Sequence, residues 1–432
     1  MKLFRFIFVH ILLFSTSIVF SQELLTLDDA LSLAMKNNQN IIIARNNAVI
    51  SKNNVNIGNA DLLPRIDLSA GATYSDNTAT TDAGDIRDKT TLTSAQISAA
   101  YTLFDGFGNI YRFRKLKAAG ELGELQARNS IEQTIVQVSN AYFAVANVYE
   151  SFRIVNETVK ISKERLDRAK NRADYGQANK IEVLSAQVDL NADSVSYVNT
   201  KLFLDETKRN LNVLLNRDVD TDFLVDSEVT FGGKLSLDEL NKNAFENNAS
   251  YRIALNNLKL SKYDIKIANS NFYPSLALNS SYSFSRYEDN FDVTLDKPNK
   301  GLTAGVILSF NLFNGFKNSI QRQNAVVSYN NQVLTKELIH NHLVKEVKNT
   351  FEAYNNSRYV LKIEKRNLES AELNFQRTRD LYNLGQVTTT QFREAQLNLI
   401  RAKNNISIAR YEAKLYEINL AQLSGTLVQT LE

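Results

Sequence analysis

Phe104-Asp105-Gly106-Phe107 and Phe313-Asn314-Gly315-Phe316 are one motif written twice along the chain. Working outward at the same spacing, Gly176-Gln177 matches Gly385-Gln386, and Ala186-Gln187 matches Ala395-Gln396. Upstream the spacing is one residue wider. There Leu27-Asp28-Asp29 meets Leu237-Asp238-Glu239, Asn37-Asn38 meets Asn247-Asn248, and Pro64 meets Pro274. A single one-residue shift over so long a span reads as an internal two-fold repeat, assigned to 22–230 and 231–432. Each repeat has one order: a helix to the proline, two strands, a long helix, a Gly-Gln tip (175–178 and 384–387) and a return helix.

The strands are expected at about 65–76, 92–104, 275–286 and 302–313, where apolar and small polar residues alternate. Ile66, Leu68, Ala70, Ala72 and Tyr74 share one face; Asp67, Ser69, Gly71, Thr73 and Ser75 share the other. Ser280 on an apolar face and Ile307 on a polar one break the pattern. A half-buried soluble sheet gives the same alternation. Three features favour a membrane barrel: a small-polar face suited to water, an apolar face free of charge, and aromatic residues at both ends. Tyr74, Phe284 and Tyr287 suggest one girdle; Phe104, Phe107, Tyr273, Phe313 and Phe316 suggest the other. The connections 76–91 and 287–301 read as polar outer loops. Four strands cannot close, because bacterial barrels begin at about 8 strands and an open edge in lipid leaves backbone groups unpaired. The chain must therefore oligomerise, and three copies would give twelve strands.

From about 109 to 174 there is no proline, and the only glycines, Gly120 and Gly123, stand near the start. At 1.5 Å per residue such a helix is roughly 100 Å long. Its apolar positions, Ile131, Ile135, Val138, Tyr142 and Val145, then Phe152, Val155, Val159, Leu166 and Ala169, follow a coiled-coil period. Val344, Val347, Phe351, Tyr354, Leu361, Leu368, Ala371 and Phe375 do the same in the second repeat. The expected fold class is an α+β membrane protein, an all-α coiled-coil barrel continuous with a β-barrel.

Composition agrees. In 432 residues there are 3 Pro, no Cys and no Trp, with 50 Lys+Arg against 47 Asp+Glu. Three prolines suit a few long elements, since proline ends helices. Without cysteine there is no disulfide, thiolate site or lipid-bearing N-terminal Cys, so the protein is not expected to be a lipoprotein. A formal charge of +3 gives no case for nucleic acid. Residues 1–21 read as a secretory signal peptide: Lys2 and Arg5, then an apolar stretch, then Val19-Phe20-Ser21. His340 and His342 stand two apart on a helix and so diverge; no metal site is expected. Gly106-Phe107-Gly108 lacks a third glycine for a nucleotide loop. Carboxylates read as solvated helix faces. No catalytic residue and no cofactor is assigned, and the chain is not read as an enzyme.

The duplicated order, the Phe-Asp/Asn-Gly-Phe strand exits, the Tyr382 to Val387 tip and the C-terminal Gln-Leu-Ser-Gly-Thr-Leu (422–427) resemble the TolC-like outer membrane efflux proteins over nearly the whole mature chain. That resemblance implies a homotrimer in the outer membrane, extending into the periplasm. It implies a passive exit duct of a tripartite efflux or type I secretion system, docked through a periplasmic adaptor to an inner-membrane RND or ABC transporter. It also implies adaptor contact at the tips, Gly176, Gln177, Gly385 and Gln386. In such proteins a tyrosine before the second tip glycine bonds an acid after the first; here these are Tyr382 and Glu182. The acidic-ring positions are Gln391 and Glu394, and an expected arginine is Val387. One acidic ring is thus retained, and a locking link is missing. The alternative is a secreted trimeric coiled-coil structural or adhesin protein, which the paired strands disfavour.

Overall fold

A computed structural model describes residues 23–176, 179–289 and 298–428. The expected signal peptide, Gln177 and much of the second outer connection lie outside them. The elements are β1 (Glu23–Leu25), α1 (Leu27–Asn37), α2 (Gln39–Asn53), β2 (Arg65–Thr81), β3 (Gly84–Asp105), α3 (Gly108–Asp174), α4 (Lys180–Leu214), β4 (Phe223–Val225), α5 (Leu237–Asn247), α6 (Ala249–Ser270), β5 (Ser275–Asp289), β6 (Asn299–Ser309), α7 (Lys317–Asn383) and α8 (Thr389–Leu423). The α3 and α7 helices have 67 residues each, and α4 and α8 have 35 each. Pro64 and Pro274 stand just before β2 and β5, where the missing N–H costs no ladder bond.

Two compact units result, each drawn from both halves of the sequence. One comprises the chain up to Ile42 with Gln133–Leu235 and Asn349–Ala421; the other holds Ile43–Glu132, Ser236–Lys348 and the chain from Gln422.

The second unit contains an antiparallel sheet in the order β2-β3-β5-β6. Its register carries the alternation across all four strands. Asp67, Ser98, Ser281 and Thr303 stand in one row, and Leu68, Ile97, Tyr282 and Leu302 in the next. The apolar face is bare: Leu68 is 78% and Leu302 71% exposed. Three expectations need correction. Residues 76–91 are not a loop, because β2 continues to Thr81 and β3 begins at Gly84. The β-branched Thr78, Thr80, Thr81, Thr90 and Thr91 favour strand there, and Arg87 binds Asp76 at 2.7 Å through two nitrogens. The fourth strand stops at Ser309, not near 313: β5 begins at Ser275, which already pairs with Ser309, so later residues have no ladder to join. Tyr287 shares the polar face with Leu92 and Thr73, and does not join Tyr74 and Phe284 in a girdle.

The two strand-exit turns are built alike. Gly106 and Phe107 both have φ of 68°, while Gly315 has 64° and Phe316 62°. Glycine adopts this region freely and phenylalanine does so under strain. Phe104 meets Phe107 edge-on at 5.2 Å, and Phe313 meets Phe316 at 5.4 Å. At Gly106 the chain also runs close, since a Cβ would sit 2.5 Å from the Ser270 carbonyl oxygen.

The first unit holds a feature that periodicity did not reveal, the short parallel pair β1–β4. Tyr142 on α3 secures it, with its hydroxyl 3.0 Å from the Leu25 carbonyl and 3.1 Å from that of Asp226. Burial pushes this phenol well above its ordinary pKa. The paired asparagines of the sequence also acquire a role. Asn38 accepts from Asn40 N and donates to the Leu214 carbonyl at 2.7 Å. Within the other unit, Asn248 accepts from Tyr251 N and donates to the Leu423 carbonyl at 3.1 Å. Each caps the next helix and satisfies an orphan carbonyl at a return helix's end.

Candidate functional site: the helix tips

The tips are tight helix reversals. Gly176 has φ of 70° and Gly385 73°, with open space where a Cβ would point. The demand is therefore conformational, not steric. At the second tip Gly385 N donates to the Tyr382 carbonyl (3.1 Å) and Gln386 N to that of Leu381 (2.9 Å), the paired bonds of a Schellman close. Tyr175, Leu384 and Gln386 are exposed.

Gln391 is placed by a capping box. Its Oε1 accepts from Thr388 N at 2.9 Å, and its own N donates to Thr388 Oγ1 at 3.3 Å. At the expected acidic-ring position the chain thus carries a helix-starting device. Glu394, one turn on, is exposed and shares an open cleft with Glu182, Asp189, Arg393 and Arg401.

The expected Tyr382–Glu182 bond is not made among the described residues, which corrects that reading. Tyr382 is buried and stacks on Phe392 at 4.7 Å, in a cluster with Phe375 and Ala395. Val387, standing where an arginine was expected, packs against that same cluster. The Arg168 guanidinium lies 5.6 Å from the Tyr382 ring and donates to the Asn383 carbonyl. Glu182 instead faces Arg172 at 3.9 Å. Apolar stacking has taken the tyrosine that the resemblance assigned to a polar link.

Beside the cleft lies an ion network that sequence reasoning missed, having treated carboxylates as solvated. Arg393 on α8 binds both oxygens of Asp193 on α4 at 2.8 Å each. Asp193 also accepts from Ser162 on α3, and Arg165 on α3 binds Asp189. The Arg165 side chain is 1% exposed. Burial works against the Arg393 charge, but Asp193 and Asp189 outweigh it and hold its pKa above the ordinary value. Four groups of balanced charge thus fasten three helices. The matched positions in the second repeat, Ala371, Asn374, Asn398 and Ala402, with Leu184 opposite Arg393, carry no charge. That asymmetry within an otherwise duplicated pattern was the available signal.

A sheet with one polar and one bare apolar face, joined in one chain to four long reversing helices, is the architecture of outer membrane channel proteins. The chain belongs to the outer membrane efflux protein family, whose model matches residues 30–217 and again 240–426. The probable outer membrane lipoprotein SilC of Salmonella typhimurium is 23% identical over 413 residues, covering 91% of this chain and 84% of SilC. Among solved structures, the outer membrane channel CmeC of Campylobacter jejuni superposes with a TM-score of 0.78 at 17% identity, over 93% of this chain and 86% of CmeC. The outer membrane protein VceC of Vibrio cholerae gives 0.73 at 15%, over 92% and 96%. The family is one of outer membrane efflux proteins, not of enzymes.

Proposed function

We propose that the protein is the outer membrane exit duct of a tripartite efflux or type I secretion system, passively conducting substrate delivered by an inner-membrane RND or ABC transporter through a periplasmic adaptor. One observation carries the reading: a four-stranded sheet whose apolar face is bare and whose edge strands, β2 and β6, have no partner among the described residues. Such a sheet is viable in lipid only when closed. Three copies give the twelve-stranded barrel, and the internal repeat places two hairpins per copy in it. An exposed stripe on α4, Ile181, Leu184, Val188, Val195, Val198 and Leu202, keeps a heptad spacing suited to a neighbouring helix. It supports a helical barrel built from several copies. The tips around Gly176 and Gly385 then form the adaptor-docking end, and three copies of Glu394 line the constriction and favour cations. With no cysteine in the sequence, no thioether lipid holds the protein to the membrane, unlike what the SilC name states of that relative.

Deleting the gene and profiling sensitivity to drugs, detergents and metals, beside the secretome, tests the reading. Hypersensitivity or loss of a secreted protein, restored by the intact chain and not by Gly385→Leu, is expected. Unchanged sensitivity and secretion would oppose it. A secreted adhesin would leave sensitivity unchanged and need no detergent.

A further inference from the structure

The two edges of the sheet do not stand level. By register Arg65 on β2, Ala100 on β3, Asn279 on β5 and Gly305 on β6 share one row. Below that row β6 runs on to Ser309, and Phe310, Asn311 and Leu312 keep its alternation with no residue of β5 to face. The β2 edge has nothing there to offer. Pro64 lacks an N–H, and Gly58–Ala60 is a turn of 3-10 helix. Above the row the surplus is reversed: β2 climbs to Thr81, whereas β6 begins at Asn299. A second copy joined level would therefore set 306–309 against Pro64 and the turn before it.

Closing a barrel demands a displacement instead. Membrane strands tilt by about 35–45°, with a rise of about 3.3 Å per residue and a spacing of about 4.8 Å. Twelve such strands accumulate roughly 12–17 residues of stagger, or about 4–6 for each copy. The displacement must be even, because an odd one sets apolar residues against polar ones. It must also raise β6 along β2, since the opposite sense leaves β6 without a partner. The smaller even value sets Phe310 against Pro64 and Lys300 against Tyr74. The larger sets Phe310 against Ile66, Leu308 against Leu68, Leu302 against Tyr74, and Lys300 against Asp76. Lys300 is exposed, its ammonium 5.9 Å from the Phe284 ring. Asp76 takes Arg87 through two nitrogens, and a carboxylate with about four acceptor sites has room for a further cation.

We propose that β6 pairs with β2 of a second copy at the larger displacement, so that Lys300 meets Asp76 of the partner subunit and Phe310 meets Ile66 of the partner subunit. Phe310 and Asn311 then extend β6, which accounts for an alternation that continues past Ser309. The joint rests on the reading of the sheet as a membrane wall. Closure alone fixes neither the displacement nor the ion pair.

The natural chain has no cysteine, which makes engineered bridges unambiguous. Within one chain Ile66 and Phe310 lie on opposite edges, three strand spacings or roughly 14 Å apart, beyond the roughly 7 Å between Cα atoms that a disulfide spans. Any bridge therefore joins copies. The full chain carrying Ile66→Cys/Phe310→Cys is oxidised with copper–phenanthroline in isolated outer membranes and run without reductant. Bands of two and three joined copies are expected, forming roughly tenfold faster than from Ile66→Cys/Leu308→Cys, whose residues would be only diagonal neighbours. Leu68→Cys/Leu308→Cys reports the same register and should link as readily, so the test survives failure of one variant to assemble. Lys300→Glu should lower the temperature at which the assembly dissociates in detergent, and Lys300→Arg should not. Faster bridging by Ile66→Cys/Leu308→Cys, or no bridge from either matched pair, would overturn the register. An unchanged dissociation temperature for Lys300→Glu would overturn the ion pair. Extraction of the natural protein from membranes by alkaline carbonate would instead sink the membrane-wall reading itself.

Discussion

Removing Arg393 should loosen the start of α8 far more than removing the whole pair that it forms with Asp193. The Arg393 side chain is 17% exposed and that of Asp193 11%. Breaking a buried pair from one side leaves an uncompensated charge and costs about 3–5 kcal/mol. Partial exposure argues for the lower end, about 3 kcal/mol for Arg393→Leu and about the same for Asp193→Ala. The double variant installs the residue types already present at the matched positions Leu184 and Ala402. Replacing a buried pair by apolar groups is often near neutral, so the double variant should lie within about 1 kcal/mol of the natural protein and the coupling should reach several kcal/mol. Hydrogen exchange on the purified protein, followed at the amides of 389–400 and 185–196, reads this as local opening. Each single variant should exchange roughly a hundredfold faster, since about 1.4 kcal/mol is tenfold. Single effects that simply add in the double variant would refute the network as a coupled fastening.

Gly385→Ala forces a side chain into φ of 73° with nothing near to clash. It should cost about 1–2 kcal/mol of local stability, seen as faster proteolysis at the second tip with the sheet unaffected. Asn38→Ala and Asn248→Ala each remove a cap and leave a carbonyl orphaned. Each should lower the unfolding free energy by about 1–2 kcal/mol, measured by denaturant titration in detergent. Glu132 is 1% exposed, and burial raises its pKa even though Arg128 lies at 2.8 Å. Because the folded pKa exceeds the unfolded one, its contribution is complete below the ordinary carboxylate range and is lost as pH rises through the folded value. Glu132→Gln should therefore gain in melting temperature relative to the natural protein at neutral pH, and lose that gain in acid.

Most of the helical frame was legible because it rests on local rules: proline-free length, heptad spacing and glycine at reversals. The alternation in β2, β3, β5 and β6 was legible for the same reason, as period two needs no partner to be seen. What escaped depended on partners. Thr78 to Thr81 read as loop because polarity was weighed above β-branching, and pairing with Gly84 to Arg87 decided the matter. Phe310 and Leu312 kept the alternation of a strand but had no residue of β5 left to face. β1 and β4, at three residues each, are too short for any period. At the tips, Tyr382 was assigned to a carboxylate by resemblance, whereas Phe392 and Phe375 offered its ring a stacked seat. The Arg393–Asp193 fastening joins residues distant in sequence, and only their absence from the matched positions hinted at it.

The most direct test of the channel reading is conductance of the purified protein in a planar bilayer. The account predicts discrete steps with cation preference, and Glu394→Ala should reduce that preference while the steps persist. A protein that stays monodisperse in water without detergent and never conducts would contradict it.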